Sequence, residues 1–209
     1  IKNYDFNIIT SDRDKGDDTS YVYINLNQWN LYEFQKIFYL QENFRKYCIL
    51  SKLLKKYSGS PLYLNSFFSF TFSIWPLILQ KLKLVTFKKI ILAPRGEFSH
   101  GALSIKRFKK KLFIFIVKFL QLHQSVIWQA TTEYEQQEIR AIFPIADIQV
   151  ISDLPASCGE PMAIDSQKEF GKLNIIFLSR ITRKKNLLTA INILNKMKGI
   201  VTFDIYGPI

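Results

Sequence analysis

The sequence has few of the residues from which disulfide frameworks, metal sites and histidine-based catalytic centres are built. Its 209 residues include two cysteines, Cys48 and Cys158, and two histidines, His100 and His123. Cysteines this far apart, with no other ligand-forming residues beside them, fit neither a disulfide scaffold nor a zinc motif. We therefore expect reduced thiols, a cytoplasmic setting, and no bound metal or other cofactor.

Long apolar runs are scarce as well. The longest nearly uncharged apolar stretch, Phe67–Leu79, is shorter than the roughly 20 residues that a membrane-spanning helix needs. It contains Pro76 and is followed by Gln80 and Lys81. The sequence starts at Ile1 without the basic, apolar and small-residue regions of a signal peptide. We expect Phe67–Leu79 to belong to a core helix.

Acidic residues are nearly missing from the middle of the chain. Residues 43–132 hold 16 basic side chains and one acid, Glu97, within a chain whose net charge is +12. Such an excess suits a lipid surface, a nucleic acid or a phosphate-bearing substrate, although a solvated basic face explains it without any partner. No recognition helix or basic and aromatic groove pattern is visible, so we do not expect nucleic-acid binding.

Strand patterns alternate with helix patterns along the first three quarters of the sequence. This alternation predicts a mostly parallel sheet covered by helices on both faces, an α/β fold. Thr132 and Glu135 have the spacing of a capping box at a helix start. The predicted strands are Asp5–Thr10, Tyr21–Asn25, Gln35–Leu40, Leu62–Asn65, Lys89–Ala93, Ser125–Trp128 and Ile148–Ile151. The predicted helices are Asn43–Tyr57, Phe67–Leu82, Ile105–Leu122 and Thr132–Ile142.

A polar, turn-rich segment over residues 153–172 interrupts the alternation and predicts a linker between domains 1–152 and 173–209. The second domain restarts with strand Leu173–Leu178, helix Leu187–Lys196 and strand Val201–Tyr206. One strand–helix–strand unit cannot bury both faces of its sheet. We therefore expect the second domain to be cut short and the first to lack an opening unit.

Two loops follow predicted strands at the sheet edge where α/β proteins bind ligands. The first is Pro94–Glu97, with His100 shortly after it. An arginine, a carboxylate and an imidazole this close together suit a polar acceptor, and Gly96 allows close backbone approach. An ordinary turn in which Arg95 and Glu97 form an ion pair would give the same pattern.

The second loop, Ser179–Asn186, places four basic residues between a strand and a helix start. A helix N-terminus favours phosphate, and added arginine and lysine would strengthen a diphosphate site. The loop lacks the glycines of a Walker or dinucleotide motif. Solvated charge at a surface loop remains the alternative interpretation.

The segments that surround these loops resemble glycosyltransferase family 4. They are ILAPRGEFSHGALSIKRFKKKLF, VIWQATTEYEQQEIR, IIFLSRITRKKNLLTAI and FDIYGPI, together with the earlier TSDRD and LYLNSFFS. The resemblance implies the GT-B architecture. We thus expect a Rossmann-like parallel-sheet domain on the acceptor side, followed by the first β-α-β unit of a second Rossmann-like domain that binds the nucleotide sugar.

The resemblance also assigns roles to particular residues. In the family, an arginine and a lysine with the spacing of Arg180 and Lys185 contact the donor diphosphate and replace a metal ion. The PRGE loop faces the cleft, which makes Arg95, Gly96 and Glu97 candidate acceptor contacts. His100 stands where relatives tend to have proline, and its participation is left open.

The implied function is transfer of a sugar from a nucleotide-sugar donor to a saccharide or lipid-linked saccharide acceptor, with retention, in bacterial-type surface polysaccharide synthesis. The family's pair of glutamates in the donor domain has no counterpart before Ile209. We therefore expect this chain alone to be inactive. The alternative function is a non-catalytic remnant that keeps a basic domain for binding an acceptor or a membrane.

The predicted helix Ile105–Leu122 begins with five basic residues and continues almost wholly apolar. A helix of this kind suits the headgroup region of an anionic membrane, at the inner face of the cell membrane. A core helix with lysine stems extended along its surface fits equally well. The candidate membrane contacts are Lys106, Arg107, Lys109, Lys110 and Lys111.

Overall fold

The computed structural model describes residues 5–14, 16–32, 35–153, 169–182 and 185–207, and shows a mixed α/β protein. The chain divides into two compact units, residues 1–153 and 154–209. The strands of the first unit are β1 (Asn7–Ser11), β2 (Trp29–Tyr32), β3 (Gln35–Leu40), β4 (Leu62–Asn65), β5 (Ile90–Ala93), β6 (Ile127–Ala130) and β7 (Asp147–Val150). Its α-helices are α1 (Lys46–Lys56), α2 (Trp75–Lys81), α3 (His100–Ser104), α4 (Arg107–Phe119) and α5 (Glu133–Ile142).

Two sheets form in the described part of the first unit. A three-stranded sheet has the order β1-β3-β2, with β1 parallel and β2 antiparallel to β3. A four-stranded sheet has the order β4-β5-β6-β7, and all its neighbours are parallel. The expected parallel α/β sheet is therefore present, and its four carboxyl ends lie along one edge.

An aromatic cluster fills the core beneath that edge. The ring of Phe67 lies 5.0 Å from that of Phe98, 5.7 Å from Trp128 and 5.7 Å from Phe143, measured between centroids. All four side chains are buried. Because Phe67 and Phe98 follow the ends of β4 and β5 closely in sequence, their burial anchors the loops that carry the polar residues of those ends.

The predicted helix Phe67–Leu82 is shorter than expected. Ser69 caps a π-helical turn over Phe70–Ile74, and α2 starts only at Trp75. The N–H of Ile74 bonds to the carbonyl of Ser69 at 3.1 Å, a spacing of five residues. Pro76 has no N–H to donate, so it fits the first turn of α2 and would not fit the middle of one long helix.

The predicted strand Tyr21–Asn25 was wrong. These residues form turns, and Tyr23 has a left-handed φ of 62° that no extended strand allows. Tyr21 donates its backbone N–H to the carbonyl of Asp12 at 2.8 Å, which is a loop contact. The strand of this region is β2, which the sequence did not reveal because Asn30 interrupts its apolar residues.

The basic helix also starts later than expected. Lys106 has a left-handed φ of 55° and Ile105 is extended, so α4 begins at Arg107. The residues before this break form the short helix α3, capped by Ser99, whose hydroxyl accepts from the N–H of Ala102. The predicted loop after β5 is thus partly helical.

The second unit contains the parallel strands β8 (Lys172–Leu178) and β9 (Ile200–Tyr206), and the helix α6 (Leu187–Leu194) lies between them in sequence. This matches the predicted strand–helix–strand order. None of the α6 residues is buried, and large apolar side chains of the strands, including Ile176 and Leu178, are exposed.

Candidate functional site

The PRGE segment forms a tight turn directly after β5. Arg95 and Gly96 both have left-handed φ angles, 54° and 69°, and the N–H of Glu97 donates to the carbonyl of Pro94 at 3.2 Å. Two positive φ angles and this hydrogen bond are features of a type I′ turn. Glycine adopts the conformation freely, whereas for Arg95 it costs about 1 kcal/mol.

A buried carboxylate holds the turn from the side of α5. Glu135 is buried, and its Oε1 accepts the backbone N–H of Gly96 at 2.6 Å. Its Oε2 accepts the N–H of Thr131 at 2.8 Å and the hydroxyl of Thr131 at 2.7 Å. The negative charge also lies in the first turn of a helix, where the backbone dipole stabilises it.

The predicted capping box is therefore half formed. The hydroxyl of Thr132 accepts from the N–H of Glu135 at 3.1 Å, as the motif requires. The Glu135 carboxylate, however, bonds to Thr131 and Gly96 and leaves the usual partner, the N–H of Thr132, unused. Glu135, which the sequence predicted as part of a helix cap, therefore also positions the turn at the end of β5.

Glu97 holds a second loop. Its Oε1 accepts the hydroxyl of Ser66 at 2.7 Å, and its Oε2 accepts the N–H groups of Phe67 and Phe68 at 2.6 and 3.2 Å. These three donors follow the end of β4. Glu97 thus joins the loops at the ends of β4 and β5, and it forms no ion pair with Arg95, its expected partner in an ordinary turn.

Arg95 reaches along the edge of the sheet. Its Nε donates to Asn65 Oδ1 at 2.9 Å, its Nη2 donates to the hydroxyl of Tyr63 at 2.9 Å, and its Nη1 donates to Asp153. Burial lowers the pKa of the Arg95 guanidinium, but the hydrogen bond to Asp153 and the charges of Tyr63 and Asp153 raise it above its ordinary value. The side chain keeps 35% of its surface exposed and stays charged.

Neighbouring polar groups extend this row. The hydroxyl of Tyr63 donates to Gln129 Oε1 at 2.8 Å, and Gln129 Nε2 donates to the carbonyl of Ile151 at 3.1 Å. Burial raises the pKa of the Tyr63 hydroxyl, so it remains a neutral donor. We call Tyr63, Asn65, Arg95, Gln129 and Asp153 the carboxyl-edge network. Four of them lie at or close to the carboxyl ends of β4, β5, β6 and β7, and the hydroxyl of Tyr63, a residue of β4, bonds to Arg95 and Gln129.

His100 is the first residue of α3 and is exposed. It follows the turn in sequence and takes no part in the hydrogen bonds that shape it. Of the four candidate acceptor residues, Arg95, Gly96 and Glu97 thus lie in one turn that hydrogen bonds hold in place, and His100 lies outside it. Tyr63, Asn65, Gln129 and Asp153 were missed, although the polar residues Asn65, Gln129 and Asp153, at or just after the ends of three predicted strands, were a usable signal.

The TSDRD segment at the end of β1 is satisfied internally. Asp12 is fully buried and accepts two hydrogen bonds from Arg13, each of 3.0 Å, and one from Ser20 of 2.6 Å. The hydrogen bond from Arg13 lowers the pKa of Asp12, against the opposing effect of burial. These residues shape the loop after β1.

In the second unit, Arg180 and Lys185 are exposed residues of the loop that follows β8. Arg183 and Lys184, between them, lie outside the described residues. The N–H of Ser179 donates to the carbonyl of Tyr206 at 3.0 Å, and a β-carbon on Gly207 would clash with the carbonyl oxygen of Ser179. The ends of β8 and β9 therefore lie against each other beside Arg180, with a glycine where only glycine fits.

The basic residues of α4 divide into two groups. Lys106 is the residue before the helix, and Arg107, Lys109 and Lys111 are exposed. Lys110 is different, because its ammonium donates to the carbonyl of Ala102 at 2.6 Å and lies 4.7 Å from the centroid of the Phe68 ring. Lys110 therefore contacts α3 and the Phe68 ring, whereas the other four candidate membrane contacts are exposed.

Within the described ranges, no cluster of three or more histidine, cysteine, aspartate or glutamate side chains could hold a metal ion. None of the helices described has the length and the apolar character needed to cross a membrane. Comparisons with protein-family models, with curated proteins and with solved structures find no match to this chain.

Proposed function

We propose that this chain is the acceptor-side part of a GT-B glycosyltransferase. The proposed reaction moves a sugar from a nucleotide-sugar donor to a saccharide or lipid-linked saccharide, with retention, in surface polysaccharide synthesis. Two features support it: the motif resemblance, and a charged, hydrogen-bonded arginine at the carboxyl edge of a parallel sheet. That edge is where open α/β sheets bind ligands.

The observation that carries the proposal is the preorganisation of Arg95. Its backbone is fixed in a left-handed turn by Glu135, and its guanidinium is aligned by Tyr63 and Asn65. A guanidinium carries five N–H donors, so groups remain available to bind hydroxyl or anionic oxygens of an acceptor. Preorganised donors bind such oxygens without a further ordering cost.

The roles within the PRGE turn differ under this proposal. Arg95 contacts the acceptor, and Gly96 lets the acceptor approach the backbone closely. Glu97 positions the turn, since its carboxylate already accepts three hydrogen bonds from residues 66–68. His100, exposed on α3, is available at the rim.

On the donor side, Arg180 and Lys185 bind the diphosphate. As the bond between the sugar and the diphosphate breaks, negative charge accumulates on the leaving phosphate oxygens, and the two cations stabilise it. The proposal assigns no catalytic metal. It places the enzyme in the cytoplasm, and at the inner face of the membrane when the acceptor is lipid-linked.

A second candidate is a non-catalytic remnant that binds an acceptor or a membrane. The exposed basic and apolar surface of α4 favours it, because that surface belongs to the first unit alone. The two candidates differ in donor binding, which only the transferase requires.

Calorimetric titration with UDP and with GDP tests the transferase, using protein expressed from the complete reading frame. We expect Arg180→Ala and Lys185→Ala to weaken nucleotide binding by about tenfold or more each, since each removes a charged hydrogen bond to phosphate. The matched controls, Lys196→Ala and Lys198→Ala, remove exposed cations of the same unit and should leave binding unchanged. Absence of nucleotide binding by the wild-type protein would favour the remnant.

A further inference from the structure

The outer side of α4 is apolar, although it faces away from the protein. Phe108, Leu112, Phe115 and Phe119 are 88%, 60%, 64% and 76% exposed. Their spacing of four, three and four residues places them within an arc of about 60° on an α-helix. We call these four residues the outer stripe. The rings of Phe115 and Phe119 stack with centroids 6.3 Å apart.

The core-facing side of α4 is a different set of residues. Val117 is buried, and Phe113, Ile114 and Leu120 pack against the core cluster. By helix geometry these residues lie opposite the outer stripe. Packing of α4 against the sheet therefore leaves the outer stripe uncovered. The apolar side chains of the outer stripe are not part of the hydrophobic core.

Single exposed apolar residues are common, but four large ones in a line on one helix form a continuous patch of the kind that marks an interaction surface. Cations border the patch. Lys109 lies on one side of the outer stripe and Arg107 and Lys111 on the other, and all three are exposed. Lys118 is also exposed on the latter side.

We propose that the outer stripe of α4 inserts into the headgroup and acyl boundary of an anionic lipid bilayer, with Arg107, Lys109 and Lys111 on the lipid phosphates. An apolar stripe bordered by lysine and arginine is the arrangement by which helices lie in such an interface. The inference rests on this surface alone and does not depend on transferase activity.

Charge decides between a bilayer and a second copy of the chain. Residues 43–132 carry 16 basic side chains and one acid, Glu97, and the carboxylate of that acid is bonded to the loop after β4. A symmetric dimer through α4 would bring two cationic surfaces together, and like charges facing each other oppose association. An anionic membrane offers the complementary charge along with an apolar interior.

Co-sedimentation with vesicles tests the proposal, using phosphatidylcholine alone or mixed with phosphatidylglycerol. We expect binding to the mixed vesicles only, weakened by salt. Phe108→Ser should lower the partition coefficient about fivefold, because a large apolar side chain no longer enters the bilayer. Phe44→Ser is the matched control, since Phe44 is 87% exposed but precedes α1, and it should bind like the wild type.

Charge gives an independent second comparison. Lys109→Gln with Lys111→Gln should weaken binding to anionic vesicles by about tenfold, because each lysine near such a surface contributes attraction. Lys52→Gln with Lys56→Gln changes the net charge equally on exposed positions of α1 and should have a clearly smaller effect.

Three results would overturn the proposal. The first is equal sedimentation with neutral and anionic vesicles. The second is unchanged binding in both the Phe108 and the Lys109–Lys111 variants, with circular dichroism spectra identical to those of the wild type. The third is a concentration-dependent dimer in analytical ultracentrifugation that Phe108→Ser abolishes, which would assign the outer stripe to a second copy.

Discussion

The backbone N–H of Gly96 donates a hydrogen bond of 2.6 Å to Oε1 of Glu135, a residue 39 positions later in the chain. This bond joins the turn after β5 to the first turn of α5. Because Glu135 is buried and fully engaged, the bond fixes the backbone that carries Arg95. The position of Arg95 at the edge of the sheet thus depends on Glu135, a buried residue.

Glu135→Ala should lower the free energy of unfolding by about 2–3 kcal/mol, because it removes the three hydrogen bonds that the buried carboxylate accepts from Gly96 and Thr131. Glu133→Ala is the matched control, since Glu133 shares the first helical turn but is exposed. It should cost less than about 1 kcal/mol, the value of a charge near a helix N-terminus. Urea unfolding followed by tryptophan fluorescence measures both, and equal losses would contradict the role of Glu135.

Gly96→Ala should destabilise the fold by about 1 kcal/mol or more, because alanine resists the φ of 69° that the turn requires. Gly101→Ala provides the contrast. Gly101 lies within α3, its φ is not positive, and an added β-carbon would meet nothing within 4 Å. We expect Gly101→Ala to be neutral or stabilising in the same unfolding experiment, and a stable Gly96→Ala variant would refute the assigned turn.

The stability of the fold should depend on pH through His123. Burial lowers the pKa of His123, whose ring stacks on Phe143 with centroids 5.0 Å apart, and the nearby charge of Lys118 lowers it further, whereas a backbone hydrogen bond opposes the shift. A folded pKa below the unfolded value means that the unfolded state binds more protons. This contribution is therefore absent well above the ordinary value of about 6.5, and the stability falls as the pH drops below it.

His123→Gln should flatten the dependence of unfolding free energy on pH between about pH 7 and pH 5.5. A slope that survives in the His123 variant would assign the titration to another group.

Much of the local structure could be predicted from the sequence where a single clear pattern marks a strand or a helix. The strand Leu62–Asn65 was predicted with its observed bounds, and β5 differs from its prediction by a single residue. Short apolar runs bounded by turn residues give a strong strand signal. The break between α3 and α4 could not be predicted in this way. It depends on the left-handed backbone of Lys106, and no sequence pattern indicates that conformation for a lysine.

The candidate site was predictable only in its single-loop part. The PRGE turn attracts attention because glycine, arginine and glutamate are adjacent in sequence. Tyr63, Gln129 and Asp153 are brought to Arg95 by the parallel register of β4 to β7, which only tertiary structure fixes. The inward direction of Lys110 is likewise a matter of packing, because composition alone places it with the other basic residues of α4.

The most direct test of the central claim is a transfer assay with protein from the complete reading frame, using UDP-, GDP- and dTDP-linked labelled hexoses and saccharide acceptors. We predict transfer from at least one donor, and an increase of about tenfold in the acceptor KM for Arg95→Lys, which keeps the charge but loses the guanidinium fork. Arg140→Lys, at an exposed position of α5, should behave like the wild type. Absence of transfer from every donor, or an Arg95→Lys enzyme with the wild-type acceptor KM, would contradict the proposed function.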